Sequence, residues 1–297
     1  MAVASQKKFP LLQSDWELDF YSRPIIEPDG KKRWELLITS SENLKSKGPF
    51  RWEKRCPAGK VNSIWLSEAL EEAIENAQKQ GWRKPLKLRC WRTSMKTMVT
   101  KAATKVGIEV IASRRTFSLL DWLAQREKNL YPNEEGYIKG PLAPPSMQML
   151  NQPEPLPEAV RGDAWSFAWL PLGMILEADE WPIQFSGLLP IKDTYDLSTP
   201  IPGLRLFSKT RALALAGWLG GLEPVKLAIE GNQLLLEAGQ DDRWLVTDMT
   251  TNASKEAKES LTNAKEKAGG IQFISVQTNP EEQNFTGFWM LRDMPDY

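Results

Sequence analysis

Between residues 81 and 115 the chain carries ten basic residues and a single acidic one, Glu109. Lys and Arg at this density are the residue types that hold the phosphates of a polyanion, and nucleic acid is the obvious polyanion. A solvated basic face, or a clasp between two domains of opposite charge, would leave the same pattern. The candidate RNA contacts, two of them near the N-terminus, are Arg89, Trp91, Arg92, Lys96, Lys101, Lys105, Arg114, Arg115, Arg23 and Arg33.

The spacing of these residues suggests how phosphates would be held. Lys101 and Lys105 lie four positions apart in a predicted helix, so they share one face. Arg92 and Lys96 fall where a predicted strand passes into that helix, and the first turn of a helix offers free N–H donors to a phosphate. Trp91 could stack on an unpaired base. The alternative for any one of the 13 tryptophans is a place in the core.

Arg114 and Arg115 directly follow a second predicted strand, residues 108–112. If that strand is the parallel neighbour of the strand at 86–92, the carboxyl ends of the two strands meet at one edge of the sheet. The two arginines would then join Arg92 and Lys96 in a single basic site.

Charge is distributed unevenly along the chain, although the formal net charge is zero. Residues 1–150 hold 26 Lys and Arg against 17 Asp and Glu, a net of +9. Residues 151–297 hold 12 against 21, a net of −9. This split indicates one half built for a polyanion and a second half with another role, such as contacting a protein, repelling other strands or mimicking RNA.

Composition excludes much of enzyme chemistry. The chain has no histidine, so it lacks the commonest general base near neutral pH and the commonest metal ligand. Its two cysteines, Cys56 and Cys90, are too far apart for a CxxC zinc site. Glycine-rich phosphate loops and the G-x-S-x-G nucleophile motif are missing from the sequence. We therefore expect a protein that is not an enzyme and needs no cofactor or metal.

A divergent nuclease is the weaker alternative. Asp19 lies on the first predicted strand, and Glu71 or Glu72 on the first helix could join it around Mg²⁺. A third carboxylate would be needed after the strand that ends at Cys90, where the chain has none. Without a magnesium ion, Asp19 would be an outward-facing strand residue paired with Arg23 or Arg33.

Hydropathy patterns predict an α/β (α+β) fold in the first half. Alternating residues predict a hairpin over 16–39 and a third strand near 50–55. Helical spacing follows, with Ser67 as the N-cap of a helix that ends at Gly81. Further predicted elements are a strand at 86–91, a helix at 95–106, a strand at 108–112 and a helix at 116–128. Three antiparallel strands followed by alternating helices and strands is the element order of ribonuclease-H-like folds.

Six prolines between residues 140 and 160 predict a linker between two domains, 1–139 and 161–297. The second domain is predicted to be mixed α+β. Its predicted strands are 165–170, 183–188, 225–230, 233–237, 244–248, 271–277 and 287–291, with helices at 209–219 and 253–268.

The expected cellular compartment follows from the absence of a membrane-spanning run and of a signal peptide in the sequence. Its apolar runs fall short of the roughly 20 residues that a membrane span needs. The first residues are too polar for a signal peptide, and two cysteines fit a reducing environment. We expect a cytoplasmic protein without a membrane span.

Sequence blocks along nearly the whole chain resemble the TAB-type RNA-binding proteins of cyanobacteria and chloroplasts. The blocks in the first half are WELDF at 16–20, SRPI at 22–25, KRWEL at 32–36, NSI at 62–64, TKA at 100–102, and SL and WL at 118–119 and 122–123. Those in the second half are IPGL at 201–204, AGW at 216–218, GLE at 221–223 and GFWML at 287–291.

The resemblance implies a factor that binds A/U-rich single-stranded 5′ leader RNA. Such a factor would promote translation of photosystem reaction-centre subunits, mainly of photosystem I. It implies the chloroplast stroma for plant relatives and the cytoplasm for a cyanobacterial protein. Translation machinery or photosystem assembly proteins would be its protein partners. The alternative is an assembly or scaffold protein for photosynthetic complexes that acts by protein contact.

Overall fold

The computed structural model describes residues 14–42, 48–139, 151–191 and 195–293. These residues form two compact units. Within the described ranges, the first unit comprises residues 14–41, 48–112 and 118–139. The second comprises residue 42, the short segment 113–117, and residues 151–191 and 195–293. Among all these residues, no helix is both long and apolar enough to cross a membrane.

A five-stranded sheet with three helices forms the first unit. The elements are β1 (Trp16–Ile26), β2 (Lys32–Ser40), β3 (Arg51–Cys56), α1 (Ser63–Lys79), β4 (Lys87–Cys90), α2 (Lys96–Lys105), β5 (Glu109–Ala112) and α3 (Phe117–Asn129). The strand order is β3-β2-β1-β4-β5. β2 runs antiparallel to β1 and β3, whereas β1, β4 and β5 are parallel. Three antiparallel strands followed by alternating helices and strands were predicted, and this order is confirmed.

One face of this sheet packs against α1 and α2. Alternate residues of β1 and β4, such as Leu18, Phe20 and Leu88, join the inner sides of the two helices in one buried core. The start of α1 differs from the prediction, because Asn62 rather than Ser67 caps the helix. The Asn62 Oδ1 accepts hydrogen bonds from the backbone N–H groups of residues 64 and 65, both at 3.0 Å. Residue 67 is buried inside the helix.

The opposite face of the sheet is polar and yet buried. Glu17, Asp19 and Glu35 lie on this face and are each at most 3% exposed. Backbone and side chains of α3 cover part of it: the N–H of Leu119 donates to Glu17 Oε2 at 2.8 Å. Because buried carboxylates are costly unless they are paired, this face must contain matching donors.

Two sheets and three helices form the second unit. Its elements are β6 (Glu154–Pro155), β7 (Ala164–Pro171), α4 (Leu172–Ile175), β8 (Phe185–Gly187), β9 (Pro200–Phe207), α5 (Ala212–Leu222), β10 (Pro224–Glu230), β11 (Gln233–Ala238), β12 (Asp242–Asp248), α6 (Thr251–Lys267), β13 (Ile271–Gln277) and β14 (Gly287–Arg292). The strand orders are β10-β11-β12-β6 and β7-β9-β13-β14-β8. Each strand and helix predicted here has a counterpart.

Three elements of the second unit were not predicted: the short helix α4 and the strands β9 and β6. β9 contains Pro200, Pro202 and Gly203, residue types that argue against a strand, and yet it lies between β7 and β13. Part of the predicted proline-rich linker also belongs to a sheet, since β6 pairs with β12. Residues 140–150 of that linker lie outside the described residues.

Gly203 allows a close approach that a side chain would prevent. A Cβ at this position would lie 2.5 Å from the ring carbon Cγ of Phe273, which is fully buried. We expect Gly203→Ala to lower the free energy of unfolding of the second unit by roughly 1–3 kcal/mol, the usual cost of overpacking. Urea denaturation would measure it. The control is Gly221→Ala in α5, where a Cβ meets nothing within 4 Å; equal midpoints for the two variants would contradict the prediction.

Candidate functional site

Arg23 and Arg92, two predicted RNA contacts, are paired inside the first unit with one carboxylate. Arg23 Nη1 donates to Asp19 Oδ2 at 2.7 Å, and Arg92 Nε donates to Oδ1. Asp19 is 1% exposed. Its burial alone would raise the pKa of Asp19, but attraction to Arg92 and Arg23 and hydrogen bonds from both bring the pKa below its ordinary value. The carboxylate is therefore ionised, and both of its oxygens are occupied.

Trp91 is also buried, at 6% exposed, so its indole is not an open platform for a base. The Arg92 guanidinium lies 4.1 Å from the centroid of the Trp91 ring and 4.1 Å from that of Tyr21. Such cation–π contacts help to hold Arg92 in place beside Asp19.

A second carboxylate organises the rest of this polar face. Glu35 Oε2 accepts hydrogen bonds from Tyr131 Oη at 2.8 Å and from Arg23 Nε and Arg126 Nη2, each at 3.2 Å. Burial raises the pKa of Tyr131 well above its ordinary value, and the positive charges of Arg23 and Arg126 only partly offset this rise, so the phenol stays protonated and donates. The network joins β1 and β2 to α3 and the turn after it.

Arg33, another predicted contact, lies near this network. Its Nη1 donates to Glu134 Oε2 at 2.9 Å, its Nε donates to Glu27, and its side chain is 6% exposed. Arg89 is partly exposed and donates to Asp15 Oδ2 at 3.1 Å. Because carboxylates of the protein already engage Arg33 and Arg89, neither belongs to the proposed contact surface.

Arg114 and Arg115 belong to the second unit, and both are buried there. Arg114 Nη1 donates to Glu237 Oε2 at 2.7 Å. Arg115 donates to three backbone carbonyls, those of residues 187, 224 and 290, at 2.7–2.9 Å. β4 and β5 are parallel neighbours, as the predicted basic site required. Arg92 and Lys96 belong to the first unit, however, so the four residues do not form one cluster within either unit.

The three lysines of α2 are the predicted contacts that face solvent. Lys96, Lys101 and Lys105 are exposed, and none of them has an ion-pair partner among the described residues. Val99, Ala102 and Ala103 form the buried side of the helix. We call the exposed side of α2 the lysine–threonine face; its residues are Lys96, Thr97, Thr100, Lys101, Thr104 and Lys105.

The chemistry of this face suits a phosphate backbone. Lys101 and Lys105 lie one turn apart, about 6 Å along the helix axis, and α2 contains no acidic residue. Lysine ammonium groups and threonine hydroxyls are both donors that bind phosphate oxygens without reading a base. The hydroxyl of Thr104 already donates to the carbonyl of residue 100 at 2.8 Å, so the threonine donors of this face are Thr97 and Thr100. The neighbouring helix α1 instead exposes Glu68, Glu71 and Glu75, which would repel a polyanion. The first unit therefore presents one helix that attracts phosphates beside one that does not.

The nuclease alternative required Asp19 to bind magnesium together with Glu71 or Glu72. Asp19 is enclosed by arginines, whereas Glu71 and Glu72 are exposed on α1. Within the described ranges, no group of three or more Asp, Glu or Cys residues could hold a metal ion. A nuclease would need a third carboxylate just after the strand that ends at Cys90. Arg92 lies there instead, and its positive charge neutralises Asp19.

Comparisons with known proteins cover nearly the whole chain. The family model "RNA-binding protein Tab2/Atab2 N terminal" matches residues 15–126, and the model of the Tab2/Atab2 C-terminal domain matches residues 144–292. A maize (Zea mays) relative named "Protein TAB2 homolog, chloroplastic" is 32% identical over 291 residues, 95% of this chain and 72% of the relative. The protein of the same name from Arabidopsis thaliana is 32% identical over 294 residues, 95% of this chain and 75% of the relative. No solved structure matches the chain.

Proposed function

This chain belongs to the Tab2/Atab2 family of RNA-binding proteins, and we propose on that basis that it binds single-stranded RNA and thereby promotes translation of photosystem reaction-centre subunits. The family is one of RNA-binding proteins and not of enzymes. We further propose that the RNA is an A/U-rich 5′ leader. The two relatives are named as chloroplast proteins; the proposed compartments are the chloroplast stroma or the cytoplasm of a cyanobacterium.

The lysine–threonine face of α2 is the observation that carries the proposed site. It concentrates three exposed cations that no carboxylate of the described residues engages. Among the predicted arginines, Arg23, Arg92 and Arg114 are instead engaged in buried ion pairs with Asp19 and Glu237. This difference follows side-chain chemistry, because the planar guanidinium suits buried pairing with carboxylates and the strongly hydrated ammonium stays at the surface. Phosphates would thus be held by lysines and threonines.

The test of this function is direct binding. Fluorescence anisotropy of the purified full chain would use three labelled RNAs of equal length: an A/U-rich single strand, a G/C-rich single strand and a duplex. We expect the A/U-rich strand to bind most tightly and the duplex most weakly, because unpaired bases are where RNA sequence is usually read. Equal affinity for both single strands would refute the A/U preference but not the proposed binding of single-stranded RNA. No binding of any RNA at low salt would refute the function and favour a scaffold role.

A further inference from the structure

A cleft of about 630 Å³ opens on the second unit. It lies between β7, the stretch after α4 and the loop that joins β13 to β14, so all of its walls belong to one unit. Its volume is in the range of small-molecule sites. The cleft is mostly apolar, and Arg205 is the only basic residue among those that line it.

The strand register places Arg205 on the same face of the sheet as the apolar floor of the cleft. Gly203 pairs with Ala168 of β7 and with Phe273 of β13. Arg205 follows Gly203 by two positions on β9, and side chains two positions apart on a strand point to one face. Ala168, Phe273 and Arg205 all line the cleft. The guanidinium therefore lies beside an apolar surface.

One wall of the cleft is a group of aromatic rings that pack against one another. The rings of Trp181 and Phe285 lie with centroids 5.1 Å apart and planes at 30°. Both also contact buried Phe288 at 5.3 Å, and Phe288 in turn stacks on Phe273 at 5.4 Å. Rings held in this way present a preformed apolar surface to a ligand.

Arg205 is fixed in position by the protein. Its Nε donates to Gln277 Oε1 at 2.7 Å, and its Nη2 donates to the carbonyl of residue 280 at 2.9 Å. The guanidinium also lies 4.9 Å from the centroid of the Phe207 ring. Its Nη1 makes no hydrogen bond among the described residues. Both N–H groups of Nη1 are therefore available to a ligand.

The positive charge of Arg205 is not neutralised within the described part of the chain. Its side chain is partly buried, and no carboxylate of those residues forms an ion pair with it. Glu282 also lines the cleft, but its Oε2 accepts a hydrogen bond from Thr278 Oγ1 at 3.2 Å instead. Arg114 of the same unit, by contrast, is paired with Glu237. Because a partly buried charge is costly without a partner, the cleft favours an anionic ligand.

We propose that this cleft binds a small flat organic acid. Its ring lies against the wall formed by Trp181 and Phe285, and its carboxylate accepts hydrogen bonds from Nη1 of Arg205. A carboxylate suits this position because its hydrogen bonds to a guanidinium are charge-assisted. The site lies wholly in the second unit and does not depend on the proposed binding of RNA.

The first test is isothermal titration calorimetry of the full chain with three probes. Cinnamate has a flat conjugated body and a carboxylate, cinnamyl alcohol has the same body without the charge, and acetate has the charge without the ring. We expect cinnamate to bind at least about tenfold more tightly than either of the others, because only cinnamate uses both the wall and the guanidinium. Equal affinity for cinnamate and its alcohol, or no binding of cinnamate at millimolar concentration, would overturn the proposal.

Two variants locate the bound acid while leaving Arg205 in place. Met174 lines the cleft and is 51% exposed, so Met174→Glu adds a like charge at the rim and should weaken cinnamate binding by about threefold or more. Glu282→Gln removes a like charge from the lining and should tighten binding. The matched control is Leu213→Glu on α5, where the side chain is 56% exposed and outside the lining. Unchanged affinity in both cleft variants would mean that the acid binds elsewhere and would overturn the site.

Arg205→Gln tests the guanidinium itself. Because Arg205 also holds the loop, the readout is the ratio of the affinities for cinnamate and cinnamyl alcohol, which a change of loop shape alone does not set. We expect this ratio to fall to about one. A ratio that stays as in the wild type would contradict the assigned role of Arg205. RNA binding is not measured in any of these experiments, so the proposed function can fail without affecting their outcome.

Discussion

Replacing Asp19 with alanine should lower the free energy of unfolding of the first unit by about 3–5 kcal/mol, which is a large part of the stability of an ordinary domain. The side chains of Asp19, Arg23 and Arg92 are 0%, 0% and 8% exposed. Removal of the carboxylate leaves two buried guanidinium groups facing each other without their shared counter-charge. That loss costs far more than the pairs contribute when they are intact, because Arg92 is left buried without its ion-pair partner and Arg23 keeps only its contact with Glu35 at 3.2 Å.

Native-state hydrogen exchange followed by mass spectrometry would measure the effect, because it reports on β1 and β2 separately from the second unit. Asp29→Ala is the matched control. Asp29 is exposed and its nearest cation, Lys31 Nζ, is 4.0 Å away; its removal should cost less than about 1 kcal/mol. Similar protection of the β1 amides in the two variants would show that the Asp19 pairs do not support the sheet.

The double variant Lys101→Glu/Lys105→Glu should bind A/U-rich RNA at least about tenfold more weakly than the wild type, a loss of about 1.4 kcal/mol or more. Each reversal replaces an attraction to phosphate by a repulsion of similar size. Both side chains are exposed and make no ion pair among the described residues, so the fold should be unaffected. Anisotropy at fixed salt would measure the affinity, and circular dichroism would check folding.

Lys255→Glu/Lys258→Glu provides the control for total charge. Both lysines are exposed on α6 in the second unit, so this variant changes the net charge by the same amount on another helix. We expect its affinity to stay close to that of the wild type. An equal loss in the two double variants would mean that overall charge, and not the lysine–threonine face, governs binding.

Charge reversal at a buried arginine such as Arg114 would give a misleading result. In Arg114→Glu a second carboxylate would be buried against Glu237, which is itself 1% exposed. Two adjacent buried anions would destabilise the second unit, and RNA binding would be lost through unfolding. Reversing the α2 lysines avoids this ambiguity, because their side chains are in solvent.

Periodicity in the sequence was sufficient for most of the fold. The apolar alternation of β1 and the helical spacing of α1 and α2 reflect faces that are buried in the observed core. β9 was missed because Pro200, Pro202 and Gly203 normally interrupt strands. The start of α1 was misplaced because its first turn carries Ile64, which is 60% exposed and outside the apolar pattern.

The site could be predicted only in part, because a charge count does not distinguish a buried ion from a solvated one. Glu17 and Asp19 alternate with apolar residues, a pattern typical of a strand with one wet face. α3 covers part of that face, and the arginine and tyrosine partners of Glu35 on the same face come from residues 91 and 96 positions away.

The central claim is that phosphates are held by the lysine–threonine face of α2, and the salt dependence of RNA binding tests it most directly. The observed affinity of the wild type and of Lys101→Ala/Lys105→Ala would be measured with the A/U-rich strand across a salt series. We predict that the slope of log affinity against log salt becomes shallower in the variant by about 0.7 for each lost contact, about 1.4 in all. Equal slopes for the two proteins, with RNA still bound, would contradict the claim and place the phosphate contacts elsewhere.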